Sequence, residues 1–253
     1  MLATIRKNEL KRELLIRRIV TVVEMAELFQ VTEETIRRDL KALESEGVAK
    51  RIHGGAVLKE KVASSFDRIT LKGIMPESKQ GIAKLAGGHI ANGLCIYMDA
   101  STTVQYLIPE ISDKRITIVT NSFDIVNICI EYPNITVVQL GGILSHSRRC
   151  FTGSATSQML NKYHFDMAVI SCRTLSAEQG LADSDIEESE IKRQAIERSK
   201  HLMVLADYTK FNGISFVKIA SLDKVDTLIT DKPVCPKWEG LLLENQINYF
   251  SAM

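Results

Sequence analysis

Two sets of side chains in this 253-residue sequence have types and spacings that could do chemistry. The first lies between residues 34 and 53. On a helical wheel at about 100° per residue, Glu34, Arg38 and Lys41 share one face with Thr35 and Arg37 at its flanks. Ile36, Leu40 and Leu43 share the opposite face. An arginine presented by such a helix can pair two donors with O6 and N7 of guanine, and a threonine can meet a phosphate or a thymine methyl. Lys50, Arg51 and His53 follow around Gly54-Gly55, where they could lie along a phosphate backbone. His53 has no metal-binding partner nearby in sequence, so phosphate contact or packing is its expected role. Asp39 is expected to orient the adjacent Arg37 and Arg38, because a carboxylate facing DNA would be repelled.

The second set recurs after short apolar runs. The run 95–98 leads into Asp99, Ser101, Thr102 and Thr103; the run 116–119 into Thr120, Asn121 and Ser122; the run 135–140 into Gly141 and Gly142. Hydroxyl residues where a strand turns into a helix present N–H and O–H groups suited to an anion such as phosphate, and glycine lets bare backbone approach a ligand. Each junction alone reads equally well as a simple helix cap; three in succession point to one ligand edge. Lys210 could bring positive charge to a phosphate. Lys192 could do the same, but at four residues from Glu188 it reads rather as half of a surface ion pair. Arg148 and Arg149 are further candidate phosphate contacts, and Asp99, Asp183 and Asp185 are candidate acids. His146 and Cys150 have metal-pair spacing without a second pair, so no metal and no cofactor are expected.

These residues need elements to hold them. Leu10, Leu14, Leu15 and Ile19 give residues 8–19 the spacing of an amphipathic helix. A short helix over 22–29 turns Val22, Met25, Ala26 and Phe29 inward. After a break at Gln30-Val31, Thr32 caps a third helix that runs from Glu33 to about Glu46 and stops at Gly47. Residues 48–58 read as two short extended runs around the glycine pair. Two short helices, a tight break and a helix with a basic outer face make a helix-turn-helix, and the hairpin makes its wing. Residues 59–80 are polar and aperiodic and read as a linker or hinge. Beyond them the runs 95–98, 116–119, 135–140, 167–171, 202–205 and 227–230 alternate with helical stretches. That pattern predicts an α/β domain with a mainly parallel sheet covered on both faces. The expected organisation is a winged helix-turn-helix over 1–58, a hinge over 59–80 and an α/β domain over 81–253.

Composition narrows the class. Apolar residues make up 45% and charged residues 25% of the chain, which excludes a disordered, collagen-like or disulfide-stapled protein. No run approaches the ~18 apolar residues of a membrane span, and the first residues lack a signal-peptide core. Five scattered cysteines without a CxxC pair suit a reducing compartment, so a cytoplasmic location without membrane association is expected. Net charge is only +1, yet residues 35–59 hold six basic and three acidic side chains. Local excess matters because phosphate attraction acts over about a Debye length.

The string Thr35-Ile36-Arg37-Arg38-Asp39-Leu40, then Leu43-Glu44, Gly47, Arg51 and His53-Gly54-Gly55-Ala56, resembles the signature of DeoR-type bacterial transcriptional regulators. Further matches are Val119-Thr120-Asn121, Leu140-Gly141-Gly142, Gly153, Asp166, Gly180-Leu181, Glu188 with Lys192-Arg193, Ala206-Asp207 with Lys210-Phe211, and 228–231. They extend the resemblance over nearly the full chain. Ser101 stands where the family commonly has glycine in Asp-x-Gly-Thr-Thr. The resemblance implies a sensor domain of ribose-5-phosphate isomerase-like fold that binds a phosphorylated sugar or related metabolite. It also implies a sequence-specific regulator, by default a repressor of a carbohydrate-utilisation operon, rather than an enzyme. Its expected partners are double-stranded operator DNA, the phosphorylated sugar and at least one further copy of the chain, since one helix and wing read few base pairs. The alternative is a sugar-phosphate isomerase-like enzyme carrying a DNA-binding head.

Overall fold

Hydroxyl side chains open two of the first three helices. Thr21 accepts a hydrogen bond from the Glu24 N–H at the start of α2 (Val22–Phe29), and Thr32 accepts one from the Thr35 N–H at the start of α3 (Glu33–Ser45). Between them Gln30 takes the left-handed conformation, φ 54°, which ends α2 and turns the chain into α3. The computed structural model describes residues 2–17, 19–58 and 74–253; the side chain of Leu15 and the expected hinge residues 59–73 lie outside the described residues. The chain divides into two compact units that part at residues 70 and 71.

In the first unit, Leu10 and Leu14 of α1 (Ala3–Arg17) pack with Met25 of α2 and with Ile36, Leu40 and Leu43 of α3. Each buried leucine or isoleucine contributes about 1.5–3 kcal/mol relative to exposure. Ile19 does not continue α1 as its spacing suggested. It starts β1 (Ile19–Thr21), half exposed, and pairs with Val57. The antiparallel order is β1-β3-β2, with β2 (Ala49–Ile52) and β3 (Gly55–Leu58) forming the expected hairpin. Gly55 is required there: a Cβ would fall 2.1 Å from the Val20 carbonyl oxygen.

The second unit opens with α4 (Pro76–Gly87), which begins inside the stretch expected to be a hinge. Its sheet has seven strands: β4 (Cys95–Met98), β5 (Ile116–Thr120), β6 (Ile135–Gln139), β9 (Met167–Ile170), β12 (Leu202–Leu205), β14 (Thr227–Thr230) and β15 (Asn248–Ser251). They pair in parallel in the order β15-β14-β12-β9-β4-β5-β6. Alternate residues serve opposite faces: Tyr97 and Val119 join one apolar cluster, and Ile96, Met98 and Ile118 the other. Both faces are therefore covered, as the continuous apolar runs require. Two small antiparallel pieces flank this sheet. One is the ribbon of β7 (Ile143–Ser145) with β8 (Cys150–Thr152); the other joins β10 (Thr174–Ser176), β11 (Gly180–Asp183) and β13 (Val217–Ala220). Among the described residues no helix is long and apolar enough to cross a membrane.

Candidate DNA-reading face and effector site

Helix α3 turns Ile36, Leu40 and Leu43 into the core and leaves Arg37, Arg38 and Lys41 exposed. Arg38, Lys41 and Lys50 form no ion pair among the described residues. Arg37 is engaged by Glu33, one turn earlier, with Glu34 3.7 Å away. Thr35 shares a 2.9 Å hydrogen bond with Thr32 at the helix start. Arg51 donates to Glu44 at 2.7 Å through its side chain and at 3.0 Å through its backbone N–H, which ties the first wing strand to α3. His53 is exposed in the wing turn. A cleft of about 470 Å³ between helix and wing brings Arg37, Arg51 and His53 together.

Asp39 departs from expectation. It is buried, and it pairs with Arg6 of α1 instead of orienting Arg37 and Arg38. The Arg6 Nε–H donates to Oδ2 at 2.6 Å and an Nη2–H to Oδ1 at 3.3 Å.

The second set of residues gathers at the carboxyl edge of the large sheet, where ligands of open α/β sheets bind. Asp99, Cys172, Asp207 and Asp231 follow the adjacent strands β4, β9, β12 and β14, and all are buried. Helix α5 (Thr102–Gln105) is only four residues long and is followed by α6 (Leu107–Glu110) and α7 (Phe123–Cys129). Ser101 caps α5, accepting from the Val104 N–H at 3.2 Å, while Thr103 is buried. With φ −72°, Ser101 needs none of glycine's freedom at this position. Asn121 is buried, accepting from the Tyr97 hydroxyl at 3.2 Å and donating to the Phe151 carbonyl at 3.0 Å. Gly141 faces open space, but a Cβ on Gly142 would meet Thr156 Oγ1 at 2.1 Å and the Thr152 carbonyl oxygen at 2.6 Å. Gly142 is thus needed for packing against α8 (Ser154–Leu160) and β8.

Lys192 is the main correction. The i, i+4 spacing suggested a solvated pair with Glu188, yet Lys192 on α9 (Ile186–Glu197) is 2% exposed. Its Nζ lies 2.9 Å from Asp183, 3.0 Å from Asp99 and 4.0 Å from Glu188, and donates to the Ser171 carbonyl at 3.0 Å. Arg148 enters the same group, 2.8 Å from Glu188, 3.5 Å from Asp185 and 3.8 Å from Asp183. Arg149 is instead held by Asp124 at 2.6 Å over the Phe123 ring.

Charge decides the protonation states. Burial alone would push the Asp183 carboxyl up, but Lys192 and Arg148 outweigh it and hold the group down at about 2. Burial would lower the Lys192 ammonium, but Asp183, Asp99 and Glu188 raise it well above its ordinary value. Lys210 lies 3.6 Å from Asp207. Burial opposes ionisation of Asp207, while Lys210, Thr209 and Lys79 hold its carboxyl below the usual range. Between the two charged groups sits Cys172, which burial pushes up to about 12 although Lys192 and Lys210 draw it down. It is a neutral thiol.

Two buried lysines lie on apolar helix faces. Lys79 falls on the buried stripe of Ile82, Ala83 and Ala86 in α4, and Lys192 beside Ile191 and Ala195 in α9. A lysine on an apolar stripe is the signal that it has a buried charged partner.

The profile described as the DeoR C-terminal sensor domain matches residues 74–232, and that of the DeoR-like helix-turn-helix domain matches residues 6–62. The uncharacterized HTH-type transcriptional regulator YulB of Bacillus subtilis is 34% identical, over 93% of this chain and 92% of that one. The HTH-type transcriptional repressor GlcR of the same organism is 33% identical over 84% and 82%. The L-fucose operon activator of Haemophilus influenzae is 32% identical over 84% and 85%. Ribose-5-phosphate isomerase A of Methanocaldococcus jannaschii aligns over 54% of both chains at a TM-score of 0.41 and 16% identity, a likeness that carries no argument about chemistry. With both profiles matched and relatives aligned along most of its length, the chain belongs to the DeoR family of HTH-type transcriptional regulators, a DNA-binding helix-turn-helix followed by an α/β sensor domain.

Proposed function

We propose that the protein represses a carbohydrate-utilisation operon and that a phosphorylated sugar, bound at the carboxyl edge of the seven-stranded sheet, controls its hold on double-stranded operator DNA. The observation that carries this reading is the row of charged groups at the sheet edge, Asp99, Asp183, Asp207 and Lys192 buried and Lys210 partly buried, in a chain whose first unit exposes Arg38 and Lys41 on α3. Carboxylates accept hydrogen bonds from sugar hydroxyls, and Lys210 with the Ser101–Thr103 segment and Asn121 offers donors to a phosphate. Asp99, Ser101, Thr102, Thr103, Asn121, Gly141, Gly142 and Lys210 remain the proposed effector residues. Thr35, Arg37, Arg38, Lys41, Arg51 and His53 remain the proposed DNA contacts, with Arg37 and Arg51 first exchanging Glu33 and Glu44 for phosphate. The protein acts in the cytoplasm as a homo-oligomer, so that two heads meet paired half-sites.

Control requires that the sugar bind one arrangement of the heads better than another, since equal affinity shifts nothing. The enzymatic alternative is disfavoured by charge. A general acid or base works best with a pKa near the operating pH, whereas Lys192 keeps its proton and Asp183 stays ionised at neutral pH.

The test is thermal melting against sugar phosphates and their free sugars, followed by DNA binding with any hit. A ligand at about 100 times its Kd stabilises by about 2.7 kcal/mol, or roughly 5–10 °C for a unit of this size. A shift with one phosphate ester and not its free sugar, with release of DNA, supports the reading. Tightened DNA binding would make the sugar phosphate a co-repressor instead of an inducer, and turnover of the hit would favour the isomerase.

A further inference from the structure

The seam between α1 and α3 packs leucine and isoleucine side chains, and among its described residues one ion pair, Arg6 with Asp39, is buried. Arg6, Leu10 and Leu14 follow each other at intervals of four along α1, and Asp39 and Leu43 do so along α3. Apolar contacts are non-directional, so on their own they tolerate rotation of one helix against the other. A guanidinium and a carboxylate engaged through two hydrogen bonds have one planar geometry and one register. Single polar contacts in apolar helix seams are best attested in this role. Here the pair is buried, and its acid sits next to Arg38, which points to solvent. Fixing the azimuth of Asp39 therefore fixes the direction of Arg38 and Lys41. Lys7, 2.6 Å from Glu46, ties α1 to the far end of the same helix.

We infer that Arg6 and Asp39 are positioning residues for DNA reading: their buried ion pair sets the rotation of α3, and so which bases its exposed side chains meet. The inference rests on α3 being the reading helix. Neither residue touches DNA in this scheme. Their worth lies in discrimination between sequences rather than in affinity for phosphate or in stability.

The experiment uses the full chain. Wild-type protein first selects its preferred duplex from a random library. Affinities for that duplex and for random DNA are then measured over a range of salt, with melting temperatures, for wild type, Arg6→Lys and the double variant Arg6→Met with Asp39→Leu. Replacing a buried ion pair by apolar side chains of similar volume is often neutral or stabilising. The double variant should therefore melt at or above the wild-type temperature yet lose about tenfold or more in the ratio of selected to random binding. Arg6→Lys keeps the charge but not the two-point geometry, and should lose part of that ratio with an unchanged salt slope. A wild-type ratio in the folded double variant would overturn the inference. Should the double variant melt far below wild type, Arg6→Lys decides alone, and its wild-type ratio would overturn it equally. A salt slope reduced by about one would make Arg6 a phosphate contact and also overturn it. A wild-type protein that selects no sequence would remove the reading helix itself, a failure visible before any variant is compared.

Discussion

Lys192 Nζ lies 2.9 Å from Asp183 Oδ2, and both side chains are buried. The pair joins α9 to β11, and Asp99 at the end of β4 closes the group from the large sheet. Removing one partner of a buried pair costs about 3–5 kcal/mol, because it strands the other charge. Lys192→Met should therefore lower the melting temperature of the second unit by roughly 10 °C. Asp183 would then keep only Arg148, 3.8 Å away, against its burial, and its carboxyl would rise. A raised carboxyl stabilises the fold below its unfolded pKa and ceases to do so as pH rises. The variant should thus melt highest near about pH 5, and calorimetry at pH 5 and 8 measures the difference. Equal melting of variant and wild type would contradict the buried network.

The native protein has the opposite acid dependence. Asp183 is held at about 2 and Asp207 below the usual range, against about 3.9 in an unfolded chain. Groups with depressed pKa contribute stability that is present above the unfolded value and lost as pH falls through the folded one. Melting should decline between about pH 4 and 2 through these groups. Lys192, raised well above its ordinary value, contributes fully below about pH 10 and loses that contribution only as pH rises further. The cluster itself should leave melting flat from about pH 5 to 9. Asp183→Asn should shallow the acid limb; an acid limb identical to wild type would remove Asp183 from it.

What the sequence reveals follows from where each interaction is encoded. Six strands of the large sheet are legible because buried parallel strands are continuous apolar runs. β15 is not: Asn248, Tyr249, Phe250 and Ser251 form a partly exposed edge with no such run. The strands of the small sheet are three or four residues long and carry Asp183 and Lys218, so they read as loop. The helix-turn-helix is legible because caps, apolar spacing and turn residues are all local. The two errors of role are non-local. Local spacing offers Asp39 its sequence neighbours as partners, but its partner is Arg6, 33 residues away. Local spacing offers Lys192 Glu188, but Asp99 and Asp183 come closer from other elements.

Under the proposed reading, Arg38 on α3 and Lys50 on β2 separate base reading from phosphate attraction. Both are exposed, but Arg38 projects from α3 and Lys50 from the wing strand β2. Arg38→Ala should cost about 1–3 kcal/mol on the selected duplex and much less on random DNA. Lys50→Ala should weaken both alike and lower the salt slope by about one. Titrations of both variants on both duplexes check this. Equal losses for Arg38→Ala on both would reduce Arg38 to a phosphate contact.

Glu34 is an acid on a face proposed to meet a polyanion. Its side chain is 76% exposed, 3.7 Å from Arg37, in the first turn of α3. There it favours the helix through the dipole by about 0.3–1 kcal/mol, so Glu34→Gln should melt only slightly lower. Against DNA the balance reverses, since the carboxylate repels phosphates and draws on Arg37. Glu34→Gln should bind random DNA several-fold more tightly at low salt, with the gain fading as the Debye length shrinks below about 10 Å. The selected duplex separates two causes. If Glu34 only repels phosphate, both duplexes gain alike; if it accepts a hydrogen bond from a cytosine amino group, the selected duplex loses while random DNA gains. No gain on random DNA at low salt would mean that this turn of α3 does not face the duplex, which would move the reading face toward Lys41 and the helix's later turns.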